Sequence, residues 1–401
     1  MDQARHQFTR RAGLFGAAAL GLAACATPPR GPAVPFARTR DAKVLGLPNE
    51  RFFFPWDGEA FRLEGMAAFE RARRHRGNLP RGAEPTIEML AISGGGEDGA
   101  FGAGLLNGWS EAGNRPQFGL VTGVSTGALT APFAFLGQRY DAALKSVYTD
   151  ITPSDVLETR YLLNAALFED ALADSAPLFR TISRHLNEAM LADIAEAYQQ
   201  GRLLLVGTSD IDAQLPVAWN IGAIAASGHP RSLDLVRRLL LASAAVPGAF
   251  PPVMIDVTLD GNSYQEMHVD GGAFTQVFLY PRNVTSQRRA QLRRGEHVQA
   301  ARAYVIRNGR ITPNPAKTDR QTLKIAQRAI ASMISSSGYS DVARILQTAR
   351  EDRVEFKLAA IGPDFPYEPK VPFEQAYMRR LFAHAFDLAR GGFPWLRDIP
   401  Y

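Results

Sequence analysis

The pentapeptide Gly123-Val124-Ser125-Thr126-Gly127 dictates a narrow choice of chain path. An apolar run, Phe118 to Thr122, leads into it, and an Ala-rich helical run from Ala128 to Gly137 follows. A Gly-x-Ser-x-Gly between strand and helix is the pattern of a nucleophile elbow, a turn so tight that a Cβ on either flank would strike neighbouring backbone. Gly123 and Gly127 remove those atoms. The turn lifts the Ser125 hydroxyl to the end of a sheet. The helix that follows aims its N–H groups and positive dipole end at the same point. Ser125 is therefore a candidate nucleophile toward a carbonyl carbon.

The strand–turn–helix reading extends along the chain. Ile87 to Ile92 fits a buried strand, followed by a Gly-rich loop and a helix from Ala100 to Ala112. Phe118–Val121, Arg202–Gly207, Glu266–Val269 and Ala303–Ile306 read as further strands, and Thr208–Asp212 as a turn at a strand end. Glu59–His75, Leu233–Ala245 and Thr322–Ser335 read as helices, and roughly residues 141–200 as helical with breaks. Strands alternating with helices predict a three-layer α/β/α domain with a mostly parallel central sheet. The expected organisation is a catalytic domain over residues 86–280 and a strand and helix continuation of it over 281–401. A helical extension over 51–85 precedes the domain. Residues 25–50, rich in Pro, Gly and Arg, read as a tether.

Of the 401 residues, 46% are hydrophobic and 21% charged, enough to bury a sizeable core. The net charge of +5 shrinks to +3 once the first 24 residues are set aside, since Arg5, Arg10 and Arg11 against Asp2 contribute +2. No Lys/Arg cluster interleaved with aromatics occurs, so nucleic acid is not an expected partner. The basic start, the small apolar run Ala12–Ala24 and the sequence Leu22-Ala-Ala-Cys25 read as a signal peptide over residues 1–24. Leu-Ala-Ala-Cys resembles the bacterial lipobox, which implies cleavage before Cys25 and acylation of that residue. The expected location is the cell envelope, lipid-anchored at the periplasmic face of the outer membrane. With one cysteine, no internal disulfide can form.

Two further motifs carry chemistry. Gly94-x-Gly96-x-x-Gly99, directly after a strand and opening a helix, fits a dinucleotide fingerprint by spacing. Glu97 and Asp98 would repel a pyrophosphate there, which leaves an oxyanion hole built of glycine amides, or a plain tight turn. Asp270-Gly271-Gly272 follows a short strand, and an Asp at the end of a parallel strand lies on the edge where α/β active sites form. No His, Cys or carboxylate spacing suits a metal, and no cofactor is expected.

A Gly-rich loop, then Gly-x-Ser-x-Gly, then Asp-Gly-Gly, in that order, resembles the patatin-like phospholipases. The block Leu241-Ala-Ser-Ala-Ala-Val-Pro247-Gly-Ala-Phe-Pro-Pro252 resembles the one preceding the aspartate in that family. The resemblance spans roughly residues 87–275 and implies hydrolysis of lipid acyl esters through an acyl-Ser125 intermediate. It makes Asp270 the general base, with oxyanion donors on Gly94, Gly95, Gly96 and Thr126. It also makes Gly99, Gly123, Gly127, Gly271 and Gly272 motif glycines. A base that must take a serine proton needs a raised pKa, which burial of Asp270 would supply. The family's first loop commonly has Lys or Arg before its last glycine. Asp98 stands there instead, which removes a fixed positive charge from the loop. Competing readings are a Ser-His-Asp esterase using His297 or His384 downstream of Asp270, and a catalytically silent lipid-binding envelope lipoprotein. His268 shares a strand face with Asp270 and could tune it.

Overall fold

The computed structural model describes residues 30–400 apart from 55, 78–82, 157, 160–172, 313–314 and 316. The segment expected to be a signal peptide, and Cys25, lie outside the described residues. A mixed nine-stranded sheet organises the described chain. Its strands are β1 (Arg51–Phe53), β2 (Ile87–Ile92), β3 (Leu120–Val124), β4 (Leu203–Asp210), β5 (Leu215–Asn220), β6 (Val253–Leu259), β7 (Asn262–Asp270), β8 (Ala301–Arg307) and β9 (Glu355–Ala360). The longer helices are α1 (Gly58–Arg76), α2 (Gly99–Glu111), α3 (Thr126–Leu136), α4 (Asp141–Thr149), α5 (Ala176–His185), α6 (Glu188–Gln199), α7 (Ser232–Ser243), α8 (Thr322–Glu351) and α9 (Gln375–Arg390).

The centre of the sheet, in the order β4-β3-β2-β8-β9, is parallel. Antiparallel β5 and β1 extend it beyond β4. Alternation along each central strand feeds two cores, as a period of two requires. Leu90, Ile92, Val121, Leu204 and Ile306 enter the core on one face, with α2, α3, α7 and α9. Met89, Ala91, Leu203, Leu205 and Val305 enter the other, with α1 and the C-terminal half of α8. This is the α/β architecture with covered faces expected from the sequence.

Some elements differ from expectation. Phe52 and Phe53 form edge strand β1 against β5, and are not the start of a helical extension. Part of the presumed tether packs on the body: Ala42 and Val44 are buried, and Lys43 bridges to Thr258. Thr208–Asp210 continue β4 instead of turning, because β7 offers them a hydrogen-bonding edge. Helix α8 runs on to Glu351, past the serine cluster that suggested its end.

Residues 281–401 are interleaved with the central sheet. Strand β8 pairs with β2 on one side and β9 on the other. Helix α9 lies so close on α2 that a Cβ at Gly104 or Gly108 would come within 2.2 Å of the carbonyl oxygens of Phe382 and Phe386. Glycine is what permits that approach.

Candidate active site

Register brings Ser125 and Asp270 together. Strand β3 runs beside β4 with Val124 opposite Gly207, and then ends. Strand β7 takes over the same edge of β4 one residue later, with Asp270 opposite Thr208. Ser125, the residue after Val124, therefore meets the last residue of β7. A nine-residue β7 is what reaches this point, and it comes from a hairpin whose turn is Asp260-Gly261, both at positive φ (50° and 79°).

The turn at Ser125 is strained. Its backbone sits at φ 55°, ψ −127°, a region that residues with a Cβ avoid. Neighbouring contacts hold it there. A Cβ at Gly123 would lie 2.4 Å from the Gly127 carbonyl oxygen, and one at Gly127 would lie 2.3 Å from that of Ile92. The Ser125 N–H donates to Ser243 Oγ at 3.0 Å, and the Ser243 hydroxyl donates to the Gly207 carbonyl at 2.6 Å. The Asp270 N–H donates to the Ala245 carbonyl at 2.9 Å. The stretch Ala242–Ala245 thus ties down both residues of the pair. Ser243 was not singled out from the sequence, although it lies within the quoted block.

Asp270 is buried. Its Oδ1 accepts from the Gly272 N–H at 2.7 Å, while its Oδ2 is buried without a hydrogen-bond partner. Burial pushes its pKa up to about 6, opposed by the Ser125 hydroxyl and the Gly272 amide. The serine lies close enough to favour the charged carboxylate, but its geometry falls short of a closed hydrogen bond. A Cβ at Gly271 would lie 2.5 Å from the Gly207 carbonyl, so the Asp-Gly-Gly turn can fit only without side chains.

The glycine loop lies over Ser125. A Cβ at Gly94 would be 3.1 Å from Ser125 Cβ and 3.8 Å from its Oγ. The Gly94 N–H, however, donates to the Gln276 carbonyl at 3.1 Å, so Gly94 is not an oxyanion donor as expected but a packing contact. Gly95 and Gly96 have positive φ (157° and 57°), and a Cβ on Gly95 would strike the Asn308 carbonyl oxygen at 2.1 Å. Asn308, just past β8, clamps the loop. Its N–H donates to Ser93 Oγ and its Nδ2 to the Ser93 carbonyl, both at 2.9 Å, and its Oδ1 accepts from Gly102 N–H at 3.1 Å. Gly99 gives room to the Thr126 hydroxyl, which is paired with the Tyr148 hydroxyl at 2.6 Å. The Thr126 backbone N–H lies in the first turn of α3, where a helix offers it no internal partner.

Asp98 is half-buried. It accepts from the Tyr377 hydroxyl at 2.5 Å, and desolvation pushes it up to about 6. The positive charge missing from the loop sequence comes from elsewhere. The buried guanidinium of Arg307, at the end of β8, contacts Ser93 Oγ at 3.3 Å and the Gly94 carbonyl at 3.4 Å. Its sequence distance from the loop left no signal in the chain.

Two cavities share Ser125, Gly96 and Val246. One is a narrow apolar channel walled by residues such as Leu129, Phe133, Ile182 and Met190. The other is wider and mixed in character, with Asp270, Arg307 and Arg310 on its wall beside apolar side chains of the first half of α8.

No histidine among the described residues is hydrogen-bonded to Ser125 or Asp270. His268 is buried against Thr208 (2.9 Å) and Glu266 (3.2 Å), and His384 pairs with Asp364 at 3.2 Å. Asp210, Glu266 and His268 are close enough together to ligate an ion. The buried Arg51 guanidinium already pairs with Glu266 and supplies the positive charge there.

Residues 90–281 match the family model of patatin-like phospholipases. The matched segment is similar to a patatin-like phospholipase domain and spans just under half of the chain. The crystal structure of VipD from Legionella pneumophila aligns with the chain at 12% identity and a TM-score of 0.38, covering 78% of this chain and 68% of VipD. No curated protein matches the sequence. The matched segment includes both Ser125 and Asp270.

Proposed function

We propose that this chain hydrolyses lipid acyl esters with a Ser125–Asp270 dyad, through an acyl-serine intermediate. The observation that carries the proposal is the strained Ser125 facing a buried carboxylate whose Oδ2 has no partner. The acyl chain would occupy the apolar channel, with the ester carbonyl at Ser125 and the rest of the lipid in the wider cavity. Asp270 takes the Ser125 proton as Oγ bonds to the carbonyl carbon, and returns it to the leaving alcohol oxygen. Water then repeats the sequence and releases the fatty acid. The amides of Gly95, Gly96 and Thr126 would bind the developing oxyanion, each well-placed donor being worth roughly 3–4 kcal/mol. The fixed charge of Arg307 beside the loop adds to that field.

Acylation of Cys25 and anchoring to the envelope membrane belong to the same proposal, supported by the lipobox-like Leu22-Ala-Ala-Cys25. A fluorophosphonate probe should label the protein, and Ser125→Ala should remove the label. A folded protein that stays unlabelled while a control serine hydrolase reacts would favour the silent lipid-binding reading. Cys25→Ser should shift the protein from the membrane to the soluble fraction.

A further inference from the structure

Helix α8 has two unlike halves. From Gly338 onward it belongs to the body: Asp341, Val342, Ile345, Leu346 and Ala349 are buried, and a Cβ at Gly338 would lie 2.8 Å from the Arg307 guanidinium carbon. Before Gly338 no described side chain is buried. Ile325, Ile330, Met333 and Ile334 are 52%, 57%, 70% and 41% exposed. At 100° per residue they fall, with Ala326 and Ala329, within one half of the helix circumference. Lys324, Arg328, Ser332 and Ser335 occupy the other half. Residues 311–340 carry Lys317, Arg320, Lys324 and Arg328 against the single acid Asp319. This half-helix also walls the wider cavity that holds Ser125, through Ile330, Met333 and Ile334 on the apolar arc and Arg328, Ser332 and Ser335 on the other.

We propose that residues 322–337 of α8 dock the protein on an anionic lipid bilayer surface and set the mouth of the Ser125 cavity against it. An apolar arc opposite a cationic arc is the pattern of a helix lying in the plane of a membrane interface. Its basic residues match the negative surface of such a bilayer. No helix among the described residues is long and apolar enough to cross a membrane. A lipid leaving the bilayer would pass along Ile330, Met333 and Ile334 into the cavity. A solvent-facing apolar stripe would then be the entrance for a substrate that water does not carry. The inference rests on the hydrolase reading for its purpose, but its test does not.

The test uses the full chain carrying Cys25→Ser and Ser125→Ala, so that neither acylation nor turnover interferes. Co-sedimentation is measured with vesicles of phosphatidylcholine alone and of phosphatidylcholine and phosphatidylglycerol in equal parts. Binding should be stronger to the mixed vesicles, and Ile325→Asp/Ile330→Asp should weaken it by at least about tenfold. Both side chains are exposed, so the double variant should keep its melting temperature, which checks the fold. Undiminished binding of the folded double variant would overturn the proposal, and so would binding indifferent to phosphatidylglycerol. If the double variant instead converts a dimer to a monomer without changing vesicle binding, the stripe is an interface between copies and the proposal also fails. Hydrolysis of a soluble short-chain ester by the Ser125-bearing chain reads the hydrolase separately, so either idea can fail alone.

Discussion

Asp270 sets activity against stability within one side chain. Its folded pKa of about 6 lies above the ordinary value of 3.8, so between those values the folded protein holds a proton that the unfolded chain releases. Stability therefore falls as pH rises from about 4 to about 6 and stays lower above that. The difference is up to about 3 kcal/mol at neutral pH, taking 1.36 kcal/mol per unit. Asp270→Asn should raise the urea midpoint at pH 8 and lose that advantage at pH 4. A midpoint unchanged at pH 8 would mean that the carboxylate is not penalised by burial. The same substitution should lower kcat by about 10²–10⁴, the range expected of a general base. In the wild type, kcat/KM for a soluble ester should rise through pH 6 and then level off, because only the ionised carboxylate accepts the serine proton. A rate independent of pH from 5 to 8 would remove Asp270 from that role. At this scale the sequence was informative: Ser125 and Asp270 sit in short glycine-flanked motifs whose steric meaning can be read residue by residue. Gly94 was misread because its amide partner, the Gln276 carbonyl, lies 182 positions away.

The elements that hold the pair were harder to read. Ser243 closes the elbow from the last turn of α7, accepting from Ser125 and donating to Gly207. Ser243→Ala would leave the buried Ser125 N–H and Gly207 carbonyl without that partner, at about 1–3 kcal/mol for each unpaired group. We expect lower thermal stability and a kcat reduced more than KM is raised, since the serine loses position without losing substrate contacts. Unchanged kcat in the folded variant would reduce Ser243 to a packing role. Strand β7 could have been read at full length, because Asp260-Gly261 is a strong hairpin signal. The C-terminal half of α8 could not: Ser335-Ser-Ser-Gly338 looks like a breaker. Only the burial of residues such as Val342 and Ile345 against the sheet keeps the helix going, a tertiary effect that local propensity does not contain. Strand β9 was missed for a related reason, since its apolar residues follow a helix that had seemed to end much earlier.

At the scale of the molecule, the family-matched segment is not a complete folding unit. Residues 90–281 contain β3 to β7 and half of β2, but not β8, which covers the outer edge of β2. Without β8, the buried run Leu90-Ala91-Ile92 would become an open edge of unpaired N–H and C=O groups, a template for association with other chains. Helix α2 would also lose α9, against which Gly104 and Gly108 lie in backbone contact. The glycine loop would lose Asn308 and Arg307 together. A fragment of residues 86–281 should accordingly be aggregated, or compact without fixed tertiary packing, and inactive toward a soluble ester. The full chain should be soluble and cooperative. Adding a separately expressed fragment of residues 282–401 during refolding should restore part of the activity, because what the first fragment lacks is a strand, a helix and a clamp and not a reacting group. Full activity of the shorter fragment alone would show that β8 and α9 are accessory, and that the site is rigid without them.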